Sequence, residues 1–480
     1  MGAVLYGRIS YMVEEDFMYH KGRGRRTFAV LALSTALFLP LHANAMSLTL
    51  ADAIRMALAA NTGLRVTQTG ERSADATLKQ VRGRNSIAAE ASDTLRTSKT
   101  RDEDAQASNA LSLSARLPLY SGGANEANIA AGELGARAAR LTTERAREDL
   151  KYEVTAAYWD AVEAGKKIEV QRDTVNKYDA HLKNVTALYE AGAQAKIDVL
   201  RSSVELSNAR QELIRAGNTY EVSLAALRNL LNISRTEPLT LTSDVAYQPF
   251  ETTMENCISY ANRSRLDLAE ERMKVQQKEL AVKSARAGKK PSVSLTLGTG
   301  LSSQFQPRHD TSSDVSASVG VSWNIFDSGV TRGAIEAAEA ERDIALLTLK
   351  KAEETIDLNL RKAYLNMREA EQRFTATGDA VRQAREDYHI ANERYRAGEG
   401  ILLDIIDAQT ALAAAETNAI SARYDYARYR AQVENLMGTE LTDSERAAAE
   451  RLPAVTAEER AAAQAAYIEG GTDAAAKAVK

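Results

Sequence analysis

The sequence repeats itself at one fixed spacing. Segments 157–164, 188–200 and 229–232 read AYWDAVEA, LYEAGAQAKIDVL and NLLN, and the related AYLNMREA, RYRAGEGILLDII and NLMG follow 206 positions later. One offset relates all three pairs, so we interpret the pattern as an internal two-fold duplication of a large unit rather than as short solenoid repeats.

Each copy predicts the same series of elements. A helix (about 50–83 and 254–288) precedes a strand pair (86–120 and 291–326), a very long helix (124–190 and 331–396) and a second long helix (196–231 and 401–437). Prolines are absent from 119–237 and 308–452, which permits such helices. The expected domains are 1–45, a first repeat over 46–253, a second over 254–443 and a polar tail over 444–480.

The long helices require lateral partners. A helix over 124–190 would be about 100 Å long, wider than an ordinary domain. Apolar residues of the second helix step by seven, four, three and four positions, which is typical of a coiled-coil seam. They are Leu213, Tyr220, Leu224, Leu227 and Leu231. We therefore expect these helices to pack side by side.

The strand segments alternate apolar and small polar residues. The pattern is clear in ALSLSARLPLY (110–120), PSVSLTLGTGL (291–301) and DVSASVGVSW (314–323), and weaker between 86 and 95. Ten-residue alternation is typical of membrane barrel strands, and a half-buried sheet of a soluble domain is the alternative. Four strands cannot close a barrel, and open edges are not tolerated in lipid, so spanning strands require several chains.

The N-terminal region has the three parts of a secretory signal. Lys21 to Arg26 are basic, Phe28 to Leu39 are apolar, and Ala43-Asn44-Ala45 forms a cleavage site. The apolar run is shorter than the roughly 20 residues that a membrane-spanning helix needs. We predict cleavage after Ala45 and, because the signal begins late, translation from Met18.

Composition and motifs exclude several function classes. The net charge of −4 gives no reason to expect a nucleic-acid partner. The only cysteine, Cys257, is predicted to be a small buried residue. No metal-ligand spacing, phosphate loop, nucleophile motif or dinucleotide fingerprint is present, so we expect no metal, no cofactor, no catalytic residue and no enzyme.

Together these features resemble the TolC family of outer-membrane efflux channels, over about 48–438. The resemblance rests on the duplicated series, on LPLYSGG and WNIFDSG at the starts of the long helices, and on YEAGAQAKIDVL and YRAGEGILLDIID at the turns. It implies an α+β membrane protein that forms a homotrimer. Three chains of four strands and four long helices would make a β-barrel in the outer membrane and a helical coiled-coil barrel in the periplasm.

The resemblance also implies where function concentrates. Asp404 and Asp407 match paired acidic residues that form rings at the constriction of the channel, and they share one face of a helix. In a trimer they would place six carboxylates around one narrowing and attract cations. The alternative is that Asp simply favours the first turn of a helix.

A second set of residues lies at the turns. Asp198 and Tyr395 match positions that hold the family's periplasmic tip shut, although Gly400 and Ile197 replace an arginine and a threonine of its best-known members. Asp198 could instead pair with Arg201 along its own helix. The tip turns that would contact a periplasmic adaptor protein contain Gly192, Ala193, Gly398, Glu399 and Gly400. The predicted bends from barrel to helix are Ser121, Gly122, Gly123, Ser328 and Gly329.

The leading interpretation is a passive outer-membrane duct of a tripartite efflux or type I secretion system. It would work with an adaptor, an inner-membrane pump and outer-membrane lipid, and its cargo would be small compounds or a secreted protein. The alternative is a periplasmic coiled-coil adaptor or scaffold. Adaptors normally carry one long hairpin, whereas this sequence predicts two hairpins and four strands.

Overall fold

The computed structural model describes residues 46–99, 106–306 and 309–438. The strands are β1 (Met46–Leu48), β2 (Ala88–Ser98), β3 (Gln106–Tyr120), β4 (Leu239–Leu241), β5 (Ser292–Gln306) and β6 (Asp310–Ser322). The helices are α1 (Leu50–Ala60), α2 (Thr62–Arg84), α3 (Ala124–Glu190), α4 (Lys196–Leu231), α5 (Met254–Ser264), α6 (Leu266–Ala287), α7 (Val330–Arg396) and α8 (Leu402–Met437). The proposed signal, Met18 and the 444–480 tail lie outside the described residues.

The four long strands form one antiparallel sheet in the order β2-β3-β5-β6. The register places Leu117 opposite Leu295 and Leu295 opposite Val319, so apolar side chains share one face across three strands. Within a single chain this face stays open: Val315 is 87% exposed, and every residue of β6 is exposed. The alternative of a half-buried soluble sheet needs a covering layer that the described chain does not place there.

The sequence predicts one helix before each strand pair, but the structure has two short helices at each place, α1 and α2 before the first pair and α5 and α6 before the second. The first such helix breaks at Asn61 and the second at Arg265, both with extended backbone. The Asn61 side chain donates to the Leu230 carbonyl at 3.0 Å, and the Arg265 guanidinium donates to the Leu436 carbonyl at 2.7 Å. Each break thus fastens a short helix to the last turn of a long one, a tertiary effect that local pattern does not show.

The long helices pack as two antiparallel hairpins, α3 with α4 and α7 with α8, and α3 also packs against α8. Two large hydrophobic clusters lie near the strand-distal ends of the short helices. One includes Tyr158, Trp159, Leu231 and Tyr424, and the other includes Leu268, Leu360, Met367 and Val433. Among the described residues, no helix combines the length and the apolarity needed to cross a membrane.

Cys257 is fully buried, as predicted. Burial raises the pKa of its thiol to about 12, so the group stays protonated at neutral pH. The residue therefore behaves as a small apolar core side chain.

A cluster of charged side chains, largely buried except for the 53% exposed Asp160, holds α3 against α8. The Arg428 side chain is 20% exposed, and its guanidinium lies 2.7 Å from Asp160 and 2.5 Å from Glu163 on α3, and also pairs with Asp425 on its own helix. We call Arg428 and these three carboxylates the α3–α8 charge cluster. Burial raises the pKa of Asp160 although the Arg428 charge opposes that rise.

Candidate functional site

The two hairpin tips end in the same backbone motif. Gly192 and Gly398 have φ of +75° and +76°, a left-handed conformation that favours glycine. At the first tip the Gly192 N–H donates to Tyr189 and the Ala193 N–H to Leu188, which is the Schellman pattern. We call 191–195 the first tip turn and 397–401 the second tip turn.

The second tip turn repeats that pattern and tightens it further. The Gly398 N–H donates to Tyr395, and the N–H groups of Glu399 and Gly400 both donate to the Arg394 carbonyl. A Cβ atom at Gly400 would lie 3.0 Å from the Tyr395 backbone nitrogen and 3.3 Å from Arg394. At the position where the family has an arginine, a side chain would therefore need the neighbouring backbone to shift by a few tenths of an ångström, and glycine avoids this.

Asp404 and Asp407 lie on the exposed face of the first turns of α8. The Asp404 carboxylate accepts the Ile401 N–H at 3.3 Å, so it does serve the helix start. Asp407 has no hydrogen bond or ion pair within the described part of the chain. The residue 206 positions before Asp404 is Asp198, whereas Arg201 stands 206 positions before Asp407. The helix-start role therefore accounts for Asp404, and it does not account for Asp407.

Tyr395 is where the two hairpins meet. It is 7% exposed and packs with Val185, Leu402 and Ile405 in one tip cluster. Its hydroxyl accepts a hydrogen bond from the Gln194 side chain of the first tip turn at 3.4 Å. Tyr395 therefore connects α7 to the opposite hairpin.

The negative charge of Asp198 influences the Tyr395 hydroxyl. Burial, and then the charge of the Asp198 carboxylate, raise the pKa of the Tyr395 hydroxyl. The hydroxyl's direct partner is nevertheless Gln194, which sequence reasoning missed. Asp198 and Arg201 form no ion pair in the described structure, so the helix-internal alternative is not realised there.

The first bend between strand and helix uses all three predicted residues. The Ser121 hydroxyl accepts the Asn125 N–H at 2.9 Å, and Gly122 and Gly123 have φ of +69° and +97°. A Cβ atom at Gly122 would lie 2.9 Å from the Ala287 carbonyl oxygen. Both the dihedral angle and the close approach therefore require glycine at 122.

The second bend depends on one residue that sequence reasoning missed. Ser328 and Gly329 have φ of +51° and +91°, and the Asp327 carboxylate accepts the N–H groups of Gly329 at 3.1 Å and Thr331 at 2.8 Å. Hydrogen bonds from the Thr331 hydroxyl and from these N–H groups lower the pKa of Asp327. Asp side chains commonly accept the N–H of the residue two positions on, so the sequence Asp-Ser-Gly before the helix held this information.

Within the described ranges no group of three or more His, Cys, Asp or Glu side chains is arranged to hold a metal ion. One chain brings two carboxylates, those of Asp404 and Asp407, to the second tip.

Comparison with known proteins identifies the family. The sequence profile described as outer membrane efflux protein matches residues 53–232 and 257–439. The chain belongs to the outer membrane efflux protein family. Members of this family are transport channels of the outer membrane whose helical portion lies in the periplasm, which confirms the predicted resemblance and location.

Two relatives illustrate the sequence similarity. Outer membrane protein TolC of Escherichia coli (strain K12) is 23% identical over 282 residues, which are 55% of this chain and 54% of that protein. Alkaline protease secretion protein AprF of Pseudomonas aeruginosa is 26% identical over 309 residues, 61% of this chain and 62% of that protein. The matched stretch thus covers less than two thirds of either relative.

The fold similarity extends further than the sequence similarity. The CmeC outer membrane channel of Campylobacter jejuni superimposes with a TM-score of 0.74 over 84% of this chain and 89% of that chain, at 18% identity. The chain therefore has the TolC-like channel fold, mostly helical with a sheet of strands.

Proposed function

We propose that this chain is the subunit of a passive duct, which conducts substrates from an inner-membrane pump across the periplasm and the outer membrane. The observation that supports this most is the four-stranded sheet, whose apolar face is exposed and whose outer strands β2 and β6 each have a free edge in the described chain. Unpaired backbone groups are not tolerated in lipid, so these edges require strands from other copies.

Three copies are the number that we propose, following the family resemblance. They would bring twelve strands to one barrel and twelve long helices to one tunnel. The α3 and α7 helices each have 67 residues, and α4 and α8 each have 36. These equal lengths support the proposed duplication, because two matched hairpins per chain build a regular wall.

The hairpin tips would form the gated entrance. Asp404 and Asp407 would line the constriction, and Tyr395 with Gln194 and Asp198 would hold neighbouring hairpins together. Large apolar side chains are exposed beside both tip turns, namely Ile197, Leu200, Ile401 and Leu403. Such a surface, with the turn residues Gly192, Ala193, Gly398, Glu399 and Gly400, suits docking of a periplasmic adaptor.

The duct would hydrolyse nothing, and the pump would supply the energy. Its cargo is either small compounds or a secreted protein. The name of AprF refers to secretion of a protease, which makes protein cargo a class worth testing first by deleting the gene and analysing the culture medium.

The alternative of a periplasmic adaptor or scaffold is less well supported. A soluble scaffold would leave the apolar face of β5 and β6 in water, including Val315, Val319 and Val321 at the edge. A contiguous exposed apolar surface of this kind is costly in a soluble protein and normal in lipid.

Single-channel recording in a planar bilayer tests the proposal. We expect the purified full-length chain to give small, cation-selective current steps, because the proposed constriction is acidic. A protein that stays a soluble monomer and never enters the bilayer would contradict the proposed function.

The Tyr395→Phe variant is expected to open more readily than the wild type. The change removes the hydroxyl that accepts from Gln194 while keeping the buried ring. A neutral hydrogen bond contributes about 0.5–1.5 kcal/mol, so the ratio of open to closed channels should rise about two- to tenfold. The matched control is Tyr189→Phe, 206 positions earlier and 42% exposed. Equal effects of the two variants, in single-channel recordings, would refute the proposed role of Tyr395.

A further inference from the structure

Three exposed cations lie where helices give way to membrane strands. Arg84 is the last residue of α2, just before β2, and Lys289 and Lys290 lie between the end of α6 and the start of β5. None of the three has a carboxylate within ion-pair distance in the described part of the chain. We call Arg84, Lys289 and Lys290 the basic collar.

Two cations that precede the basic collar in the chain are, by contrast, paired with carboxylates. Arg82 pairs with Glu133 on α3 at 2.7 Å, and Arg286 pairs with Glu339 on α7 at 2.7 Å. These two ion pairs fasten helix to helix at equivalent places in the two repeats. Arg84 follows Arg82 in the chain, and Lys289 and Lys290 follow Arg286, so the collar residues lie closer to the strands. Unlike the two arginines, they have no carboxylate partner in the described part of the chain.

Lys290 is held in place by the strand-to-helix bend. A Cβ atom at Gly122 would lie 3.0 Å from the Cβ of Lys290, and the Lys290 N–H donates to the Ala287 carbonyl at 2.9 Å. The backbone that carries the collar is therefore packed against the bend at the barrel end.

Two aromatic side chains, Trp323 and Tyr120, lie close to the basic collar along the strand direction of the sheet, on its apolar face. The Trp323 indole N–H donates to the Lys289 carbonyl at 3.0 Å, and its ring stays 58% exposed. Tyr120 is 44% exposed and lies opposite Val293, so it belongs to the apolar face. Trp and Tyr concentrate at membrane–water interfaces, where one end of the ring is apolar and the other is hydrated.

We propose that the basic collar binds the phosphate headgroups of anionic phospholipids in the leaflet that faces the helices. The inference rests on the proposed function, because it requires that the strands span the membrane. Trp323 and Tyr120 place the headgroup region at the level of the collar, and exposed unpaired Lys and Arg side chains attract an anionic lipid surface. A role confined to the helix ends is the competing explanation, since cations also stabilise helix C-termini.

Lipid retention in bilayer discs tests this proposal. The full-length protein is reconstituted in an equal mixture of phosphatidylcholine and phosphatidylglycerol, extracted gently, and the retained lipids are counted by mass spectrometry. We expect phosphatidylglycerol to be enriched about fivefold in the wild type, and the enrichment to fall with added salt. The Lys289→Gln/Lys290→Gln variant should lose most of it.

The matched control is Lys350→Gln/Lys351→Gln, an adjacent exposed pair about 30 Å along α7 from its first residue. It should keep the wild-type enrichment. Unchanged enrichment in the collar variant would overturn the proposal, and so would an equal loss in the control. An unchanged enrichment with lower stability in detergent would assign the lysines to the helix ends. Failure of the wild type to enter the discs would instead contradict the proposed function.

Discussion

Replacing Asp404 and Asp407 with Asn is expected to raise the open probability of the channel and to weaken its block by divalent cations about tenfold or more. In the proposed trimer the pair would place six carboxylates around one narrowing. Two unit charges 4 Å apart interact by about 1 kcal/mol even in bulk water, and several such interactions with one divalent ion exceed the 1.4 kcal/mol of a tenfold effect. Single-channel currents during a magnesium titration measure both quantities.

A control variant that removes the same number of carboxylates elsewhere distinguishes a specific effect of the proposed acidic ring from a general effect of the protein's charge. Glu386→Gln/Asp387→Asn removes two adjacent exposed carboxylates from α7, in the same hairpin but more than two turns from the tip. It should leave the block nearly unchanged. If Asp404→Asn alone reproduces the whole effect, the constriction depends on one ring rather than two. Unchanged block and open probability in the double Asn variant would refute the assignment of both residues.

The Arg428→Met variant is expected to lose about 2–3 kcal/mol of stability. The change leaves Asp160, whose side chain is 53% exposed, without its cation. It also takes one partner from Glu163 and Asp425, whose side chains are only 10% and 20% exposed. Lys167 stays 2.7 Å from Glu163 and Arg373 stays 2.9 Å from Asp425, which limits the loss. Removing one partner of a buried charged group costs more than removing an exposed pair. Thermal unfolding of the detergent-extracted protein measures the change.

The pH dependence of this variant has a definite sign. Burial already raises the pKa of Asp160, and loss of the Arg428 charge should raise it further. A raised folded-state pKa contributes stability that is present below the unfolded pKa and is lost as the pH rises through the folded pKa. The deficit should therefore be larger at neutral pH than near pH 4, which is close to the pKa of an Asp in the unfolded chain.

Its control is Arg332→Met on α7. The Arg332 side chain is 81% exposed and pairs with Glu336 at 2.9 Å, and an exposed pair of this kind contributes little to stability. Equal destabilisation by the two variants would contradict the special role of the α3–α8 charge cluster.

The structure and the sequence agree best where signals are local. Proline-free stretches and the glycines that follow α3 and α7, Gly192 and Gly398, mark where the hairpins turn, and α3 spans the residues expected from them. Alternation in β5 and β6 is equally local and gives the apolar face directly. The turn at Asp327 was also readable, because an Asp two residues before a glycine and a helix start is a local pattern.

What could not be predicted depends on contacts between distant residues. The breaks at Asn61 and Arg265 are stabilised by carbonyl groups of α4 and α8, more than 160 positions away. The hydrogen bond from Gln194 to Tyr395 spans 201 positions. The close approach of Gly400 to Arg394 and Tyr395 depends on the backbone of α7, so the sequence showed only a departure from the family's arginine. The number of chains followed from the resemblance alone.

Cross-linking of the two sheet edges tests the shared barrel most directly. Cys257→Ala removes the only cysteine, after which Ser92→Cys on β2 is combined in turn with a cysteine at each of several β6 positions. These positions are Ser312, Asp314, Ser316 and Ser318. The control is Ser92→Cys/Ser112→Cys, which joins neighbouring strands of one chain whose hydroxyls lie 2.8 Å apart and should stay monomeric on a denaturing gel. We expect at least one edge pair to yield covalent dimers and trimers and no larger species. Monomers from every edge pair, or a ladder that continues beyond three, would contradict a barrel closed by three copies of this chain.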